Sequence, residues 1–337
     1  MTGSKNKIIK DARVLSADYL PNKMIHREGE RQEIARNLQP LLEDRNPRDM
    51  LLYGQPGTGK TAMAKYVVEE LKKETFVESR YINCFSQKST FEVFYELLDE
   101  KLTTPRDGTS TRKVIDKFEE KTRRKPTIII IDEVDQLKED ETLYELQRFK
   151  NVGIIFIAND SNVFAHFEER IRSRLTGISK IHFKRYTQDQ LKDILQLRRK
   201  HGLTQDTVTD KHLDKIASKA GGDARVAINT LRYAAQEAEQ QNNSQITGEI
   251  IEESIDQSFE EDRLDSLDKL NKHQKKVYQI LQEEGEMSMG DLFDKYQTRI
   301  DEPRSKRTLR RYLNKMKAYN VIKVKGEKRG KTYQLAN

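Results

Sequence analysis

The sequence predicts an α/β chain: a three-layer sandwich in front, a small all-α module behind it, and a compact unit of three helices and a hairpin at the end. Three observations carry that reading. Uniformly apolar runs such as "TIIIIDE" alternate with stretches of helical periodicity up to about residue 184. Beyond that point the strand signals stop. Residues 304–337 hold twelve of the 62 Lys and Arg and a single acid, Glu327, so this end is +11 while the rest of a +7 chain is −4.

At 337 residues the chain has room for two or three domains. "ERQEIARNLQPLLED" places Ile34, Leu38, Leu41 and Leu42 at helical spacing. "RDMLLYG" reads as a short buried strand, "KTAMAKYVVEELKKE" as a helix and "ESRYINC" as another strand. Helices are expected over 90–102, with Phe91, Phe94, Leu97 and Leu98 on one face, and over 111–122, joined by the turn-rich "TTPRDGTS". "TIIIIDE" and "VGIIFIAND" are apolar on both faces, which argues for parallel strands covered on each side. Further helices are expected at 187–200, 209–219, 223–240 and 247–257, and the polar "QSFEEDRLDSLDKL" reads as a linker.

Gly54-Gln55-Pro56-Gly57-Thr58-Gly59-Lys60-Thr61 follows a strand and opens a helix that continues with Ala62. Glycines let backbone N–H groups turn inward around phosphate oxygens, and the helix N-terminus adds its dipole. Lys60 is expected to neutralise the β- and γ-phosphates and Thr61 to ligate Mg²⁺. In "IIIIDEVD", Asp132 ends the strand, where its carboxylate can hold the Mg²⁺ shell, and Glu133 can orient an attacking water. Asn159 ends the next strand and can position water or the γ-phosphate; Asp135 reads as a solvated helix-start residue.

Five further arginines are candidates for a phosphoryl site. "EERIRSRLTG" carries Arg170, Arg172 and Arg174, of which at most one or two can serve as an arginine finger. Arg198 closes the apolar stripe Leu191, Ile194, Leu195 and so calls for an anionic partner. Arg225, in the first turn of its helix, calls for one too, since a helix N-terminus disfavours a cation. Tyr186 offers an aromatic face for a base.

At the basic end, "HQKKVYQILQEEG", "SMGDLFDKYQTRI" and "PRSKRTLRRYLNKMKAYN" give three helices and "VIKVKGEKRGKTYQL" two strands about a turn, the winged-helix pattern. In the third helix Leu309, Tyr312, Leu313 and Met316 form the buried stripe; Arg304, Arg307, Arg311 and Asn314 fall opposite, suited to phosphates and base edges. The turn residues Lys328, Arg329 and Lys331 would touch the backbone or a minor groove.

No run is long and apolar enough to span a membrane, and "MTGSKNKIIKDARV" lacks the apolar core of a signal peptide. The lone Cys84 rules out an internal disulfide and a metal–thiolate site, fits a reducing cytoplasm, and reads as a packing residue.

The order "PNKMIHREGE", "LLYGQPGTGKT", "RYINC", "IIIIDEVDQL", "FIANDSN", "RIRSRL", "FKRYTQDQLKDIL", "GGDARVAIN" and a terminal winged helix resembles the archaeal replication initiators. These are single-chain relatives of the largest origin recognition complex subunit and of the eukaryotic helicase-loading ATPase. The resemblance covers roughly residues 10–335. It implies an AAA+ base over 1–184 with a DNA-contacting helical insertion near 84–112, an α-helical lid over 185–262 and a winged helix over 268–337. It further implies ATP or ADP with Mg²⁺, slow switch-like hydrolysis, and double-stranded origin DNA and the replicative helicase as partners. A second initiator copy or paralogue on DNA and a nucleoid-associated location also follow from it.

Walker A falls on Gly54–Thr61, Walker B on Asp132 and Glu133, sensor 1 on Asn159 and sensor 2 on Arg225. Arg174 is the first candidate for the finger and Arg170 the second, "SRL" departing from the serine seen in many members; Tyr186 and Arg198 look like lid contacts. Lys88, Arg106 and Arg112 are the insertion's DNA candidates. Two rivals stand beside this reading: a clamp-loader subunit, and a winged-helix transcription regulator with a structural nucleotide.

Overall fold

The computed structural model describes residues 7–43, 45, 47–98, 105–326 and 330–336; Lys328, Arg329 and the end of the helix expected over 90–102 lie outside them. The chain divides into two units, residues 16–194 with 221–224, and the remaining described residues.

The first unit is built on a five-stranded sheet of order β2-β3-β4-β1-β5, all neighbours parallel. Its strands are β1 (Met50–Tyr53), β2 (Glu78–Asn83), β3 (Thr127–Asp132), β4 (Val152–Ala158) and β5 (Ser179–His182). Every residue of β3 and β4 is buried, as expected of strands covered on both faces. Ile128 and Ile130 turn to one side with Met63, Ala64 and Val67 of α2 (Lys60–Glu74) and with Ile34 and Leu38 of α1 (Glu28–Leu38). Ile129 and Ile131 turn to the other, against Phe94 and Leu97 of α3 (Thr90–Leu98) and Val114 and Phe118 of α4 (Thr111–Arg124). Each isoleucine so buried contributes about 1.5–3 kcal/mol over an exposed one. Cys84 packs in the second layer, as expected.

Three elements here carried no usable signal. β5 buries only Ile181, and the short helices α5 (Glu141–Leu146) and α6 (Glu169–Leu175) have six and seven residues, too few for periodicity. The first helix also stops sooner than its stripe suggests. It ends at Leu38, a 3-10 turn follows over Gln39–Glu43 around Pro40, and Leu42 is left exposed.

Helix α7 (Gln188–Gly202) passes from the first unit into the second, which also holds α8 (Asp210–Lys219), most of α9 (Ala224–Gln240) and α10 (Gly248–Asp268). The 257–270 stretch expected as a linker is largely helix: α10 runs unbroken to Asp268. The face that α10 packs runs from Ile250, Ile251 and Ile255 onto serines, Ser254, Ser258 and Ser266 being buried, and Ser258 Oγ donates to the Val226 carbonyl at 3.0 Å. Small polar residues thus occupy positions where an amphipathic pattern would show leucine. The winged-helix elements follow as α11 (Lys272–Glu284), a two-residue β6 (Met287–Ser288), α12 (Met289–Thr298), α13 (Lys306–Ala318), β7 (Ile322–Lys325) and β8 (Thr332–Leu335). Their core joins Val277, Leu281, Leu292, Tyr296, Leu309, Leu313 and Met316.

Candidate functional site

The loop between β1 and α2 can adopt its path only because of its glycines. Gly57 and Gly59 take φ of 70° and 88°, and a Cβ on Gly57 would lie 1.7 Å from the Asp223 carboxylate. Thr58 is fully buried and donates its hydroxyl to the Gln55 carbonyl at 2.8 Å, tying the loop across itself. Lys60 is buried too; its ammonium donates to the carbonyls of Gly54 (2.7 Å) and Gln55 (2.9 Å) and to Asn159 Oδ1 (3.3 Å). A buried ammonium held by neutral carbonyls is poised to accept an anion. Pro56 and Ala62 flank this cradle and are partly buried.

Directly beneath, the Thr61 hydroxyl donates to Asp132 Oδ2 at 2.7 Å, and the Tyr81 hydroxyl donates to the same oxygen at 3.1 Å. Asp132 Oδ1 accepts from the Glu133 amide at 2.9 Å. Burial and the Asp132 charge push the Tyr81 hydroxyl well above its ordinary range, so it stays a neutral donor. Glu133 has φ 51° and ψ 45°, a left-handed conformation that costs a non-glycine residue about 1–2 kcal/mol. That turn carries its side chain off the strand line. The sheet thus brings four of the expected residues together as two hydrogen-bonded pairs at adjacent positions, Lys60 with Asn159 and Thr61 with Asp132. A hydroxyl and a carboxylate 2.7 Å apart are the hard oxygen donors that suit Mg²⁺.

Tyr186 lies beside this loop, its hydroxyl 2.7 Å from where a Cβ on Gly59 would stand, and its ring is stacked under the Arg27 guanidinium at 4.0 Å. Sequence reasoning missed Arg27. It is almost wholly buried, pairs with Glu30 at 2.9 Å, donates to the Lys184 carbonyl, and leaves its Nε without a hydrogen-bond partner among the described residues. The "GGDA" segment also closes on the loop, since the Ala224 amide donates to the Gly57 carbonyl at 3.0 Å and Arg185 reaches both Gln55 and the Gly221 carbonyl.

The remaining arginines separate by partner. Arg170 pairs with Glu168 at 2.7 Å and Glu141 at 3.6 Å. Arg174, exposed at the end of α6, lies 4.7 Å over the Tyr144 ring and has no carboxylate partner among the described residues. Arg198 donates to the Val14 carbonyl at 2.7 Å in the second unit. Arg225 donates to Asp262 of α10 at 2.8 Å, so the anion expected near it is a carboxylate of the stretch taken for a linker.

On α13 the buried stripe is Leu309, Leu313 and Met316 with Tyr312 partly covered, as expected, and Arg307, Arg311 and Asn314 are exposed; Arg304, expected on the same helix, lies just before its N-cap Ser305 and is exposed, as is Lys331 just before β8. None of these arginines has a carboxylate within ion-pair distance among the described residues; Arg311 rests 5.7 Å over Tyr312. The candidates around α3 and α4 differ. Arg112 pairs with Asp116 at 2.9 Å, Arg106 lies 3.9 Å from Glu92, and Lys88 sits 4.6 Å over the Phe85 ring.

Comparison with known proteins agrees with this arrangement. The AAA domain family matches residues 43–164, and the Cdc6 AAA+ ATPase-type lid domain matches 192–256. ORC1-type DNA replication protein 9 of Halobacterium salinarum is 35% identical over 98% of this chain and 95% of its own length. ORC1-type DNA replication protein 1 of the same organism is 38% identical over 90% of this chain and 100% of its own. Among solved structures, the Aeropyrum pernix ORC1 protein in complex with DNA is similar at 27% identity, with a TM-score of 0.73 over 99% of this chain and 95% of that one. The chain belongs to the family of ORC1-type DNA replication proteins, AAA+ ATPases of replication initiation.

Proposed function

We propose that this chain is an ATP-dependent origin-recognition protein. It binds duplex origin DNA through its winged helix and, secondarily, its AAA+ insertion, and helps load the replicative helicase, with ATP binding and slow hydrolysis as the switch. The observation that supports this best is the hydrogen bonding of buried Lys60 to Asn159 and of Thr61 to buried Asp132 at the mouth of a glycine loop.

In this mechanism the backbone amides of Gly57, Thr58, Gly59 and Lys60 and the start of α2 hold the phosphates, with Gly54, Pro56 and Ala62 shaping the cradle. Lys60 exchanges loop carbonyls for phosphate oxygens. Thr61 and Asp132 would hold Mg²⁺, which when bound neutralises charge on the β- and γ-phosphates. Glu133 takes the role of orienting and polarising the attacking water, and Asn159, bonded to Lys60, sets the position of the γ-phosphate. Arg174 is favoured over Arg170 as the finger, because Arg170 is already committed to two glutamates. Tyr186, Arg198 and Arg225 are assigned to nucleotide sensing from the lid, Arg225 by exchanging Asp262 for a phosphate.

For DNA, the unpaired Arg304, Arg307 and Arg311 with Asn314 and the wing's Lys328, Arg329 and Lys331 are the main contacts. Lys88, Arg106 and Arg112 make a lesser contribution, since the two arginines already face acids. That the similar Aeropyrum pernix ORC1 protein was solved in complex with DNA supports DNA as the partner. The domain limits 1–184, 185–262 and 268–337 belong to the same proposal. Lys60→Ala tests it: ATP binding is expected to vanish while most duplex affinity survives. Loss of both together, or retention of ATP binding, contradicts the separation of the two functions.

A further inference from the structure

We propose that Tyr81 is a positioning residue for ATP hydrolysis, holding the Asp132 carboxylate from the open edge of the sheet; this rests on reading Asp132 as the acid of the nucleotide site. The backbone makes the contact possible. β2 is an edge strand, and its parallel register pairs Tyr81 with Ile130 and Asn83 with Asp132. Tyr81 therefore shares the face on which Ile130 packs against α2, and its phenol reaches diagonally, two residues further along β3 on that same face, to Asp132 Oδ2 at 3.1 Å.

Three donors then fix the plane of this carboxylate: Thr61 at 2.7 Å and Tyr81 at 3.1 Å on Oδ2, and the Glu133 amide at 2.9 Å on Oδ1. Thr61 belongs to the same oxygen donor set as Asp132, and the Glu133 amide lies in the turn that presents the water-orienting carboxylate. Tyr81 alone of the three has no other part in the chemistry, so its bond serves to aim Asp132. Its ring is held for that purpose, with the Lys65 ammonium 3.9 Å from its centroid. Lys65 sits on α2 one turn beyond Thr61, so helix and edge strand grip the same carboxylate. An exposed edge tyrosine could give its hydroxyl to water at little cost; here, at 37% exposure, it gives it inward to an anion.

Tyr81→Phe keeps the ring and the Lys65 contact and removes only the hydroxyl. Three quantities decide the matter: affinity for a fluorescent ATP analogue in EDTA, the Mg²⁺ concentration that half-saturates the metal-dependent tightening of that binding, and the single-turnover hydrolysis rate. The expected result is an unchanged affinity in EDTA, with half-saturation raised and turnover lowered by roughly 5–10-fold each, the range one partly solvent-exposed hydrogen bond supports. If the metal dependence and rate match the wild type, or if affinity in EDTA falls along with them, Tyr81 is not a positioning residue. Asp132→Asn in parallel separates the two levels. Its loss of metal-dependent turnover beside a normal Tyr81→Phe overturns the Tyr81 inference alone, whereas full activity of Asp132→Asn overturns the site reading and the inference together.

Discussion

Replacing Arg307 and Arg311 together by alanine probes the proposed DNA face where its geometry is most specific. Both are exposed on α13 opposite Leu309 and Leu313, and neither faces a carboxylate among the described residues. Each is free to neutralise a phosphate, and each phosphate contact adds about 0.9 to the slope of log affinity against log salt for duplex DNA. Losing two contacts lowers the slope by about 1.8, so between about 50 and 200 mM salt the wild type should lose about 12-fold more affinity than the double variant. Anisotropy of a fluorescent duplex of about 30 base pairs, titrated at four or five salt concentrations, reads this directly. Arg299→Ala is the control, since its guanidinium already pairs with Glu283 and Glu284, and its slope should match the wild type. An unchanged slope in the double variant refutes the assignment of α13 as the recognition element.

Two further expectations concern backbone and protonation. Gly57→Ala puts a methyl group 1.7 Å from the Asp223 carboxylate at a φ of 70°, so ATP affinity should fall at least about 10-fold by equilibrium binding, with the melting temperature of the winged helix unaffected. Near-normal ATP affinity would mean that the loop does not hold the phosphates. His273 accepts the Tyr296 hydroxyl at Nδ1 at 2.7 Å, while burial, Arg304 and Lys272 hold its pKa below the ordinary histidine value. A histidine depressed in the folded state contributes stability that is complete above its unfolded pKa, about 6.5, and is lost as pH falls through the folded value. The wild-type melting temperature should therefore drop more steeply than that of His273→Asn as pH is lowered from 7 to 5; parallel curves would contradict the contact.

What the sequence made legible was whatever rests on strong local patterns. The isoleucine run of β3, the glycines of the loop and the Leu309–Leu313–Met316 stripe each announce their structure within a few residues. What stayed hidden depends on long-range packing. α10 continues to Asp268 although the residues it buries beyond 257 are Ser258 and Ser266, and serines do not register as an apolar stripe. The pattern around Arg225 and Arg198 called for a negative partner, but no spacing rule could name Asp262 for the first or the Val14 carbonyl for the second. Tyr81 and Arg27 were equally silent, because what distinguishes them is a neighbour 51 residues away in one case and a tyrosine ring beyond the sheet in the other. Among the described residues no helix is long and apolar enough to cross a membrane.

The proposal that ATP turnover in this chain runs through the Asp132–Glu133 turn is tested most directly by single-turnover hydrolysis of γ-labelled ATP by Glu133→Gln. The substitution removes the carboxylate proposed to orient water and leaves Lys60, Thr61 and Asp132 in place. The variant should bind ATP with wild-type affinity and release no labelled phosphate over many wild-type half-lives. Phosphate release at the wild-type rate would show that another group orients the water, and the assignment of the site would fall with it.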